Sequence, residues 1–177
     1  MTSTLTLQRY TELGAVKKTF LDLWAEVRAP LLHLPNYAVS TVSERLDRHA
    51  TDEGFEVVIG YDGDEPVGYA YGNHAGPDDR YWARITPFPD DLSLRGSGFA
   101  LKELGVRPAW RGTGAAKRIH DHLLAGREEK YVSLMVNPEA GDGKVQRIYE
   151  SWNYTPIGTS QPSPDSPVLL AMVRNTS

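Results

Sequence analysis

The chain has 177 residues, 40% hydrophobic and 24% charged, the balance of a globule with enough apolar surface to bury a substantial core. It has no cysteine, which excludes a disulfide framework and a thiolate metal site, and its net charge of −4 with no basic tract argues against a nucleic-acid partner. The first nine residues lack the apolar core of a signal peptide, and the longest useful apolar run, Val168 to Val173, is far too short to span a bilayer. A cytoplasmic protein built as a single domain over residues 1–177, with no membrane contact, is expected.

In chain order, Leu13, Val16, Phe20, Leu23, Trp24 and Val27 recur at three- and four-residue spacing and predict a helix that stops near Pro30. An apolar, proline-bounded connection from Pro30 to Tyr37 follows. Thr41-x-x-Glu44 has the form of a capping box and predicts a second helix starting there, with Val42, Leu46 and Ala50 on one face. Phe55 to Tyr61, a turn at Asp62-Gly63-Asp64, and Pro66 to Gly72 predict a hairpin. Tyr69 and Tyr71 share one face of it, as core or as the wall of a binding site; the sequence does not decide. Residues 73–95 read as a long polar excursion containing Trp82, Phe88, Asp90 and Asp91. Ser97 to Val106 is then a strand, Gly112 to about Arg127 a helix, Tyr131 to Val136 a strand, and Asp142 to Trp152 a helix capped by Asp142. A short strand near Tyr154, a Pro/Ser loop and a last strand from Val168 to Arg174 close the chain.

The junction of strand and helix at Glu103-Leu104-Gly105-Val106-Arg107-Pro108-Ala109-Trp110-Arg111-Gly112-Thr113-Gly114-Ala115-Ala116 is the most informative segment. A strand ends at a proline, turns through a basic loop with two glycines, and opens into a helix. The first N–H groups of a helix have no intrahelical acceptor, and they carry the positive end of its dipole. Gly112 and Gly114 let backbone approach a bulky anion, and Arg111 adds a forked cation suited to phosphate oxygens. A phosphate or pyrophosphate site is the chemical reading; a surface connection with a glycine-rich cap is the bland one. No segment has the P-loop spacing, and Lys117 stands where a dinucleotide fingerprint needs its third glycine.

Arg111-Gly-Thr-Gly114-Ala-Ala116 satisfies the pattern Arg/Gln-x-x-Gly-x-Gly/Ala, and with its Val106-Arg-Pro108 lead-in it resembles the pyrophosphate loop of the GNAT superfamily of acyl-CoA-dependent N-acetyltransferases. Arg147-Ile-Tyr149-Glu-Ser-Trp-Asn153-Tyr154 is similar to that family's Leu-Tyr-Glu-x-x-Gly-Phe, with Asn153 in place of glycine and Tyr154 in place of phenylalanine. The resemblance implies an α/β fold of mixed α+β kind: a mixed, mostly antiparallel sheet, splayed between two parallel strands and flanked by about four helices.

The resemblance also implies acetyl-CoA as co-substrate. Its pyrophosphate would lie on Arg111, Gly112, Thr113, Gly114, Ala115 and Ala116, its pantetheine arm along the backbone of Leu104, Gly105 and Val106, and Asn137 would join the contacts. Tyr149 would be the general acid for the leaving thiolate, and Glu103 a base for the acceptor amine. From spacing alone Tyr149 reads rather as a core tyrosine with its hydroxyl bonded to backbone, and Glu103 is equally a solvent-facing or loop-paired carboxylate. The expected reaction is acetyl transfer to a primary amine of a small molecule. A protein amino terminus or lysine as acceptor, or a non-catalytic CoA-binding sensor, are the alternatives. His120 and His122 lie roughly 200° apart around a helix and cannot clasp one ion, so no metal is expected. Pairing of the closing strands could form a homodimer.

Overall fold

The computed structural model describes residues 4–34 and 37–177; Pro35 and Asn36 of the expected proline-bounded connection, and Met1 to Ser3, lie outside the described residues. Seven strands are hydrogen-bonded in the order β1-β2-β3-β4-β5-β7-β6. They are β1 Leu5–Tyr10, β2 Glu56–Asp62, β3 Glu65–Ala75, β4 Gly98–Val106, β5 Tyr131–Val136, β6 Thr155–Ser160 and β7 Leu169–Asn175. The helices are α1 Lys17–Val27, α2 Val39–His49, α3 Arg80–Ala83, α4 Leu92–Gly96, α5 Ala115–Leu124 and α6 Lys144–Ser151. The chain forms two compact units, Met1–Asn73 with Lys102–Gly126, and His74–Leu101 with Arg127–Ser177, so β3 and β4 each contribute to both.

In the first unit the hairpin of β2 and β3 is antiparallel and β1 pairs antiparallel with β2. Side chains of a strand alternate between faces, and here the alternation separates two sets of helices. Val57, Ile59, Tyr69 and Tyr71 pack with Phe20, Leu23, Trp24 and Val27 of α1 and Val42 and Leu46 of α2. Both tyrosines are buried, at 0% and 2% exposure, which answers the question left open by the sequence: they are core. The other face carries Gly60 and Gly68, and α5 lays Ile119 into the space they leave; a Cβ on Gly68 would stand 2.6 Å from Ile119 Cδ1. The far end of α5 is fastened by Arg9, whose guanidinium donates to the carbonyls of His122 and Ala125, a cation where the helix dipole favours one.

In the second unit β4 and β5 run parallel over three pairs, Gly98–Tyr131 to Ala100–Ser133. The pairs β5–β7 and β6–β7 are antiparallel. Tyr81, Trp82, Ile85 and Leu94 fill a second core with Ala75, Ala100 and Ala171. Residues 73–95 are therefore more ordered than their polarity implied. Asp79 and Asp91 cap α3 and α4 by accepting from the N–H groups of Tyr81 and Ser93, and Thr86 bridges to Thr159.

Three expected helix starts move. The capping box at Thr41 does not form: α2 begins at Val39 behind Ala38, and no side chain caps it. No glycine or proline stands between Tyr37 and Thr41, so nothing opposes helical backbone one half-turn earlier. The third long helix begins at Ala115, not Gly112, because Gly112 and Gly114 adopt φ of 74° and 85°. Asp142 is not a cap either. Gly141, Asp142 and Gly143 are all left-handed (φ 57°, 57° and 86°), and α6 starts after them at Lys144.

Candidate active site

The first unit holds the glycine loop. Arg107 follows β4 with its N–H on the Val67 carbonyl at 2.8 Å, and its guanidinium pairs with Glu26 and Glu65. This ties the root of the loop to α1 and to the β2–β3 turn. Pro108 to Trp110 make one 3₁₀ turn, after which Arg111 is extended. Gly112 and Gly114 then take left-handed conformations that other residues adopt only at a cost. A Cβ at either would meet nothing within 4 Å, so backbone dihedral rather than crowding requires the glycines, and the space above them is open. Thr113 braces the turn, donating to the Trp110 carbonyl at 2.6 Å and accepting from the Ala115 N–H at 3.3 Å.

The first intrahelical bond of α5 is Arg118 N–H to the Gly114 carbonyl, at 3.1 Å. The N–H groups of Ala116 and Lys117 therefore point out of the helix end without a helical acceptor, while that of Ala115 is taken up by Thr113 Oγ1. Lys117 is paired with Asp121 and Arg118 donates to the Leu5 carbonyl. Arg111 is exposed and has no ion-pair partner among the described residues. Open space, outward N–H groups and a forked cation fit a diphosphate, so the residues present suit the pyrophosphate of CoA.

Glu103 and Leu104 lie just upstream. Because Arg107 N–H faces β3, alternation along the strand directs the N–H and C=O groups of Leu104 and Val106 to the opposite edge. The parallel ladder with β5 stops at Ala100, so that edge carries no β5 pair at Leu104 or Val106 among the described residues. Glu103 is on the α1 face, with its carboxylate 3.6 Å from Arg28 Nη2. The same nitrogen donates to the Leu104 carbonyl at 3.2 Å. Deeper on that face, the Tyr71 hydroxyl and His49 Nδ1 are 2.8 Å apart. Burial pushes the Tyr71 phenol far above its usual value, and the Glu103 charge adds to the rise against the opposing pull of Arg45 and Arg48. Gly105 is fixed by packing: a Cβ there would stand 2.6 Å from the Tyr69 hydroxyl.

The second unit holds Tyr149 and Asn137. Tyr149 is half-buried and meets Trp152 and Tyr154 edge-on, with ring centroids 5.5 and 5.6 Å away. α6 is only partly buried: the helix has no buried residue, and Ile148 is 39% exposed. Asn153 takes the left-handed conformation (φ 73°) that lets it stand where glycine is usual. Asn137 accepts from the Glu139 N–H at 3.0 Å and so shapes the turn after β5. Arg28, His49 and the pairing of Tyr71 carry no mark in the sequence. Arg28 and Leu104 are 76 positions apart, and no local pattern marks such a contact.

Residues 19–154 match the family described as Acetyltransferase (GNAT) family. The chain belongs to the GNAT family of acetyltransferases. No curated protein matches it in sequence. Solved structures share its fold at low identity. An acetyltransferase from Thermus thermophilus is 16% identical with a TM-score of 0.67, covering 98% of this chain and 97% of that one. A Corynebacterium glutamicum protein named as a histone acetyltransferase and related acetyltransferase is 17% identical (TM-score 0.65, 97% and 96% covered). An aminoglycoside 6'-N-acetyltransferase complexed with coenzyme A is 16% identical (TM-score 0.63, 97% of each). Membership makes this GNAT chain an acyltransferase of a family that uses acetyl-CoA. Among the described residues, no helix is long and apolar enough to cross a membrane, and no group of three or more His, Asp or Glu could hold a metal ion.

Proposed function

We propose that this chain is a cytoplasmic N-acetyltransferase that moves acetyl from acetyl-CoA to the primary amine of a small molecule by direct attack. The observation that carries the reading is the loop itself: two left-handed glycines, the outward N–H groups of Ala116 and Lys117, and an exposed Arg111. Acetyl-CoA supplies an activated thioester. The chain holds its diphosphate on Arg111 to Ala116 and its amide arm along the Leu104–Val106 edge of β4, and Asn137 is a further co-substrate contact. The Val106 N–H is directed to polarise the thioester carbonyl, where charge develops as the amine adds. The amine nitrogen bonds the carbonyl carbon and the carbon–sulfur bond breaks. Glu103 takes one proton from the acceptor ammonium before it attacks, Tyr149 gives its proton to the departing thiolate, and the second proton lost by the new amide nitrogen restores the phenol. The chain has no cysteine to carry an acyl-enzyme thioester, which favours direct transfer.

The aminoglycoside-acetylating neighbour favours a small acceptor; the neighbour named for histones keeps a protein lysine as the second reading. Thiol release from acetyl-CoA, followed against polyamines, aminoglycosides, amino acids and lysine-containing peptides, separates them. Turnover on a small amine is the expected result. Turnover on peptides alone favours the second reading, and tight acetyl-CoA binding with no transfer to any amine makes the chain a CoA sensor.

A further inference from the structure

Resting on the reading that the co-substrate's amide arm lies along β4, we propose that Arg28 is a placeholder on that edge: it holds the Leu104 carbonyl in the free protein and yields it, keeping Glu103, when the co-substrate's amide N–H takes its place. A ligand laid along the strand needs the acceptors that point outward, and Leu104 presents one of them. One terminal nitrogen of Arg28 already serves it at 3.2 Å and stands 3.6 Å from Glu103 Oε2. Arg28 is placed to do this by being the C-cap residue of α1, where its own N–H closes on the Trp24 carbonyl at 2.9 Å. Its side chain is 32% exposed and that of Glu103 20%, so the guanidinium keeps room to turn while the carboxylate retains it nearby. A cation on the carbonyl stabilises the unliganded edge and competes with binding. The carboxylate draws the same cation off the carbonyl and so favours binding. Arg28 is thus a positioning residue whose removal and whose partner's removal have opposite signs.

The test is calorimetric titration of the full chain with two probes, acetyl-CoA and adenosine 3'-phosphate 5'-diphosphate. The second probe has the diphosphate but no amide arm. Arg28→Met is expected to bind acetyl-CoA about three- to tenfold more tightly, since one charge-assisted hydrogen bond no longer has to be given up. Glu103→Gln is expected to bind it about two- to fivefold more weakly, and Arg28→Met/Glu103→Gln is expected to match Arg28→Met. The diphosphate probe should bind all four chains alike. Unchanged or weaker acetyl-CoA binding by Arg28→Met, with the probe still bound, overturns the placeholder alone. If Arg28→Met does not fold, Glu103→Gln decides: unchanged or tighter binding overturns the inference. Failure of the wild-type chain to bind either probe overturns the proposed function and this inference together.

Discussion

Each residue in the candidate site answers to a different physical demand, and a single substitution should report which one. Tyr149 is proposed as the acid, so Tyr149→Phe removes a proton and almost no volume. Turnover should fall about 100-fold or more, while the dissociation constant for acetyl-CoA moves little. A stopped-flow or thiol-release assay beside a binding titration reads both; wild-type turnover would retire the phenol. Gly105 answers to packing instead. Gly105→Ala drives a methyl against the Tyr69 hydroxyl, 2.6 Å from the new Cβ. Tyr69 is fully buried and cannot swing away, so denaturant unfolding should show a loss of about 1–3 kcal/mol. A change within measurement error would mean that β4 shifts to accept the methyl. The two glycines of the loop answer to dihedral angle: nothing crowds them, and it is their positive φ, costly for most residues with a Cβ, that favours glycine.

At the scale of elements, strands and long helices were legible in the sequence because their apolar spacing is also their packing. β5 runs from Tyr131 to Val136 as its pattern predicts, and the hairpin turn falls at Asp62 to Glu65. The helix starts were not legible, since an N-cap competes with whatever backbone precedes it. Thr41-x-x-Glu44 has the composition of a cap, yet Val39 and Ser40 are already helical; Asp142 has the composition too, but stands among left-handed residues. The short helices α3 and α4 were hidden in a polar stretch, although Asp79 and Asp91 were the readable caps.

The segment after α5 carries a charge test of the same scale. Arg127 holds Glu129 through two hydrogen bonds, at 2.9 and 2.6 Å, and His74 Nδ1 lies 3.1 Å from the same carboxylate. Burial pushes the Glu129 carboxyl up, but the Arg127 and His74 contacts outweigh it and hold the group below its usual range. A depressed folded value means that the ionised group stabilises the fold above the ordinary carboxylate range, and that this contribution is lost as pH falls through the folded value. Glu129→Gln should cost about 1–3 kcal/mol at pH 7, because the Arg127 hydrogen bonds lose their charged acceptor. The deficit should shrink as the pH is lowered below about 4. Urea midpoints of both chains across that range check it; a deficit independent of pH would assign the loss to shape rather than charge.

For the whole molecule, the family and the fold came through in the sequence and the acceptor did not. The loop from Arg111 to Ala116 is continuous in the chain, so the diphosphate site proposed there rests on a local pattern of six residues. The surroundings of Glu103 are assembled from α1, α2, β3 and β4, and their meeting is decided by the burial of Trp24, Tyr69 and Tyr71 rather than by any local pattern. Specificity for an amine belongs to such assembled surfaces, and fold alone does not fix it.

The most direct measurement is a calorimetric titration of acetyl-CoA into the wild-type chain and into Arg111→Glu, with the thermal midpoint of each recorded. Micromolar-range binding by the wild type and a loss of more than about tenfold in the variant are expected. The two midpoints should agree, because Arg111 is exposed. Equal affinity in two folded chains would contradict the assignment of the loop and the chemistry built on it.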